Sequence, residues 1–149
     1  MDTTLEQKLL HYAESHRNRR NVLIHCVCVP AIVFAVVGGL VAINPVVAGL
    51  ALIAAVIYYA FIDPDRMVAL RAAATMAGVL AAMLALWILV IPPSAILPLA
   101  FGIFVNAWIG QFIGHHIEGR KPSFFDDLRY LLVGPLFVMH EMLPGRRQT

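Results

Sequence analysis

The sequence predicts an all-α integral membrane protein: a helical bundle of about four transmembrane helices, with an amphipathic helix at the N-terminus and a half-inserted helix at the C-terminus. Three observations predict it. Of the 149 residues 60% are apolar and only 13% charged, with a mean hydropathy of +0.80, too little charge to clothe a soluble domain of this length. The apolar residues fall in long runs divided by helix breakers at Asn44-Pro45, Asp63-Pro64-Asp65 and Pro92-Pro93. Every Lys and Arg lies in the N-terminal segment, in or beside the 63–66 turn, or after residue 114, while the 43–45 and 92–94 turns carry none. That asymmetry is the positive-inside pattern, with the charged side cytoplasmic.

The elements follow in order. Residues 3–17 read as an amphipathic surface helix, with Leu5, Leu9, Tyr12 and Ala13 toward one face and Glu6, Lys8, Glu14 and Arg17 elsewhere. The run 22–43 is uncharged and, at ~1.5 Å per residue, long enough to cross a ~30 Å hydrocarbon core. The run 46–62 is short but can span, and Asp63 or Asp65 is available to cap the helix that follows. Residues 67–91 and 95–113 form the third and fourth spans, the last ending at Gly114-His115-His116. Residues 124–143 carry Asp126, Asp127 and Arg129 at their start, Gly134-Pro135 in the middle and His140-Glu141 near the end, and read as a half-inserted or fifth helix. The whole of 1–149 is expected to be one membrane domain, with 1–21 on the cytoplasmic side. The N-terminus is polar for some twenty residues and lacks the apolar core and cleavage site of a secretory signal, so the first apolar run is expected to stay in the protein. A bacterial inner membrane is expected, or the endoplasmic reticulum in a eukaryote.

Several functions are disfavoured. A net charge of +2 is too small for nucleic-acid binding, and the basic residues sit where topology signals belong. Cys26 and Cys28 both lie inside the first apolar run and read as apolar filler, with metal binding by the CxC pair as the alternative. No G-x-S-x-G, P-loop or G-x-G-x-x-G occurs.

The chemistry-bearing residues collect where polar segments meet apolar ones. His16, Asn21 and His25 have the spacing HxxxxNxxxH. In one continuous helix at ~100° per residue, His16 and His25 would face opposite ways. They converge only if the helix breaks between them, with Asn18 or Asn21 capping the new start, whereas Asn21 and His25 already share a face. Gln111, His115 and Glu118 likewise share a face if the fourth helix runs that far. Histidines at one membrane depth suggest a single polyhistidine metal site of iron, zinc or copper rather than magnesium or calcium, with Asn21, Gln111, Glu118 and Glu141 as supporting residues. The bland alternative makes His16 an interfacial residue, His25 a hydrogen-bonded core histidine and the HHxE run a polar helix end. Trp87, Trp108 and Tyr58-Tyr59 read as interfacial anchors. Arg17, Arg19, Arg20, Arg120 and Lys121 suit anionic headgroups or a substrate carboxylate.

Three blocks then carry a resemblance: His16-xxxx-Asn21-xxx-His25 followed by Pro30; Trp108-xx-Gln111-Phe112-x-Gly114-His115 leading to Glu118-Gly119-Arg120 and Pro122; and Gly134-Pro135-Leu136-Phe137 before Glu141. In that order, over nearly the whole chain, they resemble the small membrane dioxygenases that act on 2-hydroxy fatty acids in fatty acid α-oxidation, as in phytosphingosine breakdown. The resemblance implies an Fe(2+)-dependent enzyme that uses O2 to remove one carbon of a long-chain 2-hydroxy fatty acid as CO2. It implies His16, His25 and His115 as catalytic iron ligands, with the adjacent His116 as a further or alternative one. Membrane lipid is an expected partner. A haem-binding electron carrier and a noncatalytic bundle, such as a transporter or assembly factor, are the competing readings.

Overall fold

The structure, a computed structural model, describes residues 4–14, 16–119 and 132–142. Among them every regular element is a helix: α1 (Leu5–Glu14), α2 (Arg19–Ile43), α3 (Pro45–Ala60), α4 (Arg66–Leu89), α5 (Pro93–Glu118) and α6 (Gly134–Met142). α2, α4 and α5 are long and apolar enough to cross a membrane, and α3 is a shorter apolar helix, an arrangement compatible with a membrane helical bundle. Large apolar side chains point outward on these helices, among them Phe61 at 82%, Leu89 at 80% and Ile43 at 77% exposure. Water does not tolerate such a surface; hydrocarbon does.

The breakers act through their side chains. Asn44 accepts from the backbone N–H groups of Val46 at 2.8 Å and Val47 at 3.4 Å, with Pro45 at the first helical position, so α2 stops and α3 begins without orphaned donors. Of the two aspartates that could cap α4, Asp65 does so, accepting from Met67 at 2.8 Å and Val68 at 3.3 Å. Asp63 instead accepts from the Asp65 N–H at 2.7 Å and shapes the turn.

The chain divides into two compact units. One takes in Leu5 and Val33–Phe104, the other Glu6–Ile32 and Val105 onward, so α2 and α5 each contribute to both. In the first unit α3 and α4 pack as a hairpin, and the interior is built on Trp87 and Tyr59, both fully buried. These two residues were expected at the interface and lie inside. The reason lies on α2: Trp87 donates its indole N–H to the Phe34 carbonyl at 2.8 Å and stacks on the Phe34 ring at 4.5 Å, so its polar atom is satisfied without water. Room for the indole comes from Gly38, where a Cβ would run into the Trp87 ring.

Gly38 and Gly39 are adjacent in sequence and differ in consequence. Gly38→Ala is expected to lower stability by about 1–3 kcal/mol through overpacking against Trp87. Gly39→Ala, where a Cβ meets open space, is expected to be neutral or stabilising. Thermal unfolding of the two variants in detergent, followed by circular dichroism, checks the contrast.

Candidate metal centre

The second unit is built around a break in the chain. α1 ends at Glu14, and the His16 N–H donates to the Ala13 carbonyl at 3.0 Å, closing a turn. α2 then starts at Arg19 with Asn18 in the capping role: its Oδ1 accepts from the Arg20 N–H at 3.0 Å and its carbonyl from the Val22 N–H at 3.0 Å. Asn21 therefore lies inside the helix. The break that the HxxxxNxxxH spacing requires is present, and it lets His16 reach over the first turns of α2 toward His25.

α5 brings the third histidine. It does not end at Gly114 but continues through His115 and His116 to Glu118, which keeps Gln111, His115 and Glu118 on one helical face. Gly114 serves a close contact rather than a turn. A Cβ on it would collide with Asn21 Oδ1 and come within 3.4 Å of both His25 Cε1 and Ile24 Cγ2. One turn earlier, a Cβ on Gly110 would reach Cys28 Sγ at 2.5 Å. The pair is a G-x-x-x-G face seated on the Asn21, Ile24 and Cys28 ridge of α2, the close crossing that small residues allow in lipid.

The outcome is a buried triad. His25 is only 1% exposed, and His16 and His115 are also buried. Ring centroids lie 4.4 Å apart for His16 and His25, 5.1 Å for His25 and His115, and 5.8 Å for His16 and His115, all edge to face. Each ring offers one nitrogen, and the three nitrogens lie within 4.8 Å of one another. Two of the rings have their other nitrogen engaged: His16 Nδ1 donates to the Tyr12 carbonyl at 2.8 Å and His25 Nδ1 to the Asn21 carbonyl at 3.0 Å. A carbonyl only accepts, so the proton sits on Nδ1 and the lone pair on Nε2, the tautomer a metal needs. Tyr12 also stacks on His16 at 4.2 Å and 14°, and Phe137 of α6 packs against the Tyr12 ring at 4.9 Å and the His16 ring at 5.9 Å. An all-imidazole donor set suits iron, zinc or copper.

Glu118 ties α5 to the start of α2. Its carboxylate accepts from the backbone N–H of Arg17 at 3.0 Å, from the N–H of Asn18 at 3.0 and 3.2 Å, and from Asn21 Nδ2 at 3.0 Å. An anion at the start of α2 also opposes the positive end of that helix. Glu118, expected as a supporting residue, holds the peptide between His16 and His25. Gln111 is buried one turn before His115, and its Oε1 has no hydrogen-bond partner among the described residues. His116 is exposed and is not one of the three. Glu141 belongs to α6, but its side chain, like that of His140 and all of Arg120 and Lys121, lies outside the described residues. Tyr12, Phe137 and the Gly110–Gly114 pair escaped the sequence reading as contributors; the G-x-x-x-G just before His115 was the available signal.

Comparison with known proteins bears on the chemistry. Residues 3–146 match the family model described as Mpo1-like, 2-hydroxy-palmitic acid dioxygenase Mpo1-like. The Saccharomyces cerevisiae protein named 2-hydroxy-palmitic acid dioxygenase MPO1 is 30% identical over 149 residues, a match that covers 93% of this chain and 79% of the yeast protein. No solved structure matches the chain.

The crossing at Gly114 sets how near α5 brings His115 to His25, so Gly114→Ala is expected to weaken zinc binding by the purified protein at least about tenfold. Gly102→Ala, also on α5 but with open space at its Cβ, is expected to bind zinc as the parent does. Competition against a chromogenic chelator measures both.

Proposed function

The chain belongs to the Mpo1-like, 2-hydroxy-palmitic acid dioxygenase family, and we propose that it is an Fe(2+)-dependent membrane enzyme that uses O2 to shorten 2-hydroxy fatty acids by one carbon. The observation that carries the reading is the buried group of His16, His25 and His115, whose ligand nitrogens lie within 4.8 Å of one another. These three residues fit iron by donor chemistry, His16 and His25 also by tautomer, and they are the ligands we assign. His116 is left out because it is exposed. Iron(II) bound there would supply open coordination positions and the one-electron chemistry that O2 requires.

The protein's own residues do the rest. The Tyr12 and Asn21 carbonyls hold two imidazoles in the binding tautomer. Burial of the triad keeps bulk water from the reacting carbons. Arg17, Arg19 and Arg20, all exposed beside the triad in sequence, provide positive charge for a carboxylate arriving from the membrane surface. Apolar helix surface accommodates the acyl chain, at ~0.8 kcal/mol for each CH2 buried, which favours long chains. A cytoplasmic position for the site is supported by the distribution of basic residues under the positive-inside rule.

The balance is self-contained. The 2-hydroxy acid and O2 give CO2, water and a fatty acid one carbon shorter. The bond between C1 and C2 breaks, C1 leaves as CO2, and C2 rises from alcohol to carboxylic acid. Those changes release four electrons, the number O2 accepts, so the substrate is its own reductant.

Protein purified without oxygen is expected to carry about one iron per chain and to consume O2 with 2-hydroxypalmitate, releasing CO2 and the acid one carbon shorter. His16→Ala, His25→Ala and His115→Ala are each expected to lose the metal and at least ~100-fold of the turnover. Elemental analysis with an oxygen electrode and product mass spectrometry decides the matter; full iron and turnover in all three variants would overturn the assignment.

A further inference from the structure

Two buried side-chain amides in the second unit carry an oxygen without a hydrogen-bond partner among the described residues, Asn21 Oδ1 and Gln111 Oε1. Their surroundings differ. Asn21 has its Nδ2 on Glu118, and its Oδ1 is closed off by the Gly114 backbone, where not even a methyl group fits. No ligand atom can enter there. Gln111 is 6% exposed and makes no hydrogen bond to a histidine among the described residues.

An unsatisfied buried acceptor is costly, and it persists where something other than the protein supplies the donor. Gln111 stands one helical turn from His115 on the same face of α5, so its side chain neighbours that imidazole. The missing partner must therefore be a hydrogen-bond donor that arrives beside the metal group. Of the polar atoms of an ionised 2-hydroxy fatty acid, the carboxylate oxygens only accept; the 2-hydroxyl is the donor. We infer that Gln111 accepts a hydrogen bond from the substrate's 2-hydroxyl and thereby selects 2-hydroxy acids over unsubstituted fatty acids. The inference rests on the substrate class proposed above, but not on iron or on turnover. A metal alone binds any hydroxyl oxygen by its lone pair; an acceptor amide demands the proton.

The test uses metal-free full-length protein in lipid nanodiscs, with fatty acids competing against a fluorescent analogue. Wild type is expected to bind 2-hydroxypalmitate about tenfold more tightly than palmitate, the size of one neutral hydrogen bond. It is expected to bind 2-methoxypalmitate, which keeps the oxygen and lacks the donor, no better than palmitate. In Gln111→Met the three acids are expected to bind alike, with palmitate affinity and zinc stoichiometry as in wild type. A preference absent from wild type, or surviving in Gln111→Met, overturns the inference. Should that variant lose zinc stoichiometry through misfolding, the methoxy arm on wild type decides alone, and binding of 2-methoxypalmitate as tightly as the hydroxy acid overturns it. Oxygen consumption by iron-loaded wild type is read separately: preference without turnover retains the Gln111 role and removes the dioxygenase reading.

Discussion

The contact on which the triad depends is the approach of α5 to α2 at Gly110 and Gly114. Neither glycine puts a side chain between the helices, so the side chains of Asn21, Ile24 and Cys28 meet the α5 backbone directly. His25 and His115 hang from the two sides of that crossing, and its closeness sets their 5.1 Å separation. A single methyl group at Gly114 would wedge the helices apart by more than the tolerance of a metal site, which is a few tenths of an ångström. The driving force is packing and not hydrophobicity, because lipid offers apolar residues as good a home as protein does.

The carboxylate of Glu118 adds something different in kind. Its bonds to Arg17 and Asn18 are exposed, while the one to Asn21 is partly buried. Exposed charge-assisted bonds contribute less than the ~1.5–3 kcal/mol of sheltered ones, so Glu118 is more a device of register than of stability. It fixes which turn of α5 faces the start of α2, and it satisfies N–H groups that a chain break at the head of a helix leaves without carbonyl partners.

The all-helical architecture was legible because apolar runs and proline-bearing breakers act locally: Asn44 and Asp65 cap the helices next to them. The convergence of His16 and His25 was legible for the same reason, since helix periodicity forbids it without a break and Asn18 lies at a position able to make one. What escaped depends on residues far apart in the chain. Nothing near Glu118 announces that it meets peptide N–H groups about 100 residues away. The extension of α5 beyond Gly114 was hidden because glycine looks like a stop when its neighbour across the interface is unknown. Trp87 was misplaced because its partners, Gly38 and the Phe34 carbonyl, belong to another helix.

Sequence separation of the three histidines gives the group an order of assembly. His16 and His25 leave the ribosome early, joined by a capped turn, and two imidazoles hold a divalent ion only weakly. The third imidazole and the Glu118 clasp arrive with the last turns of α5, with Asn21 and Glu118 97 residues apart. A nascent chain thus has no complete chelate with which to trap whatever metal is most competitive in the cell. A metal held by the three histidines would be chosen only once the helices are inserted and the group is complete.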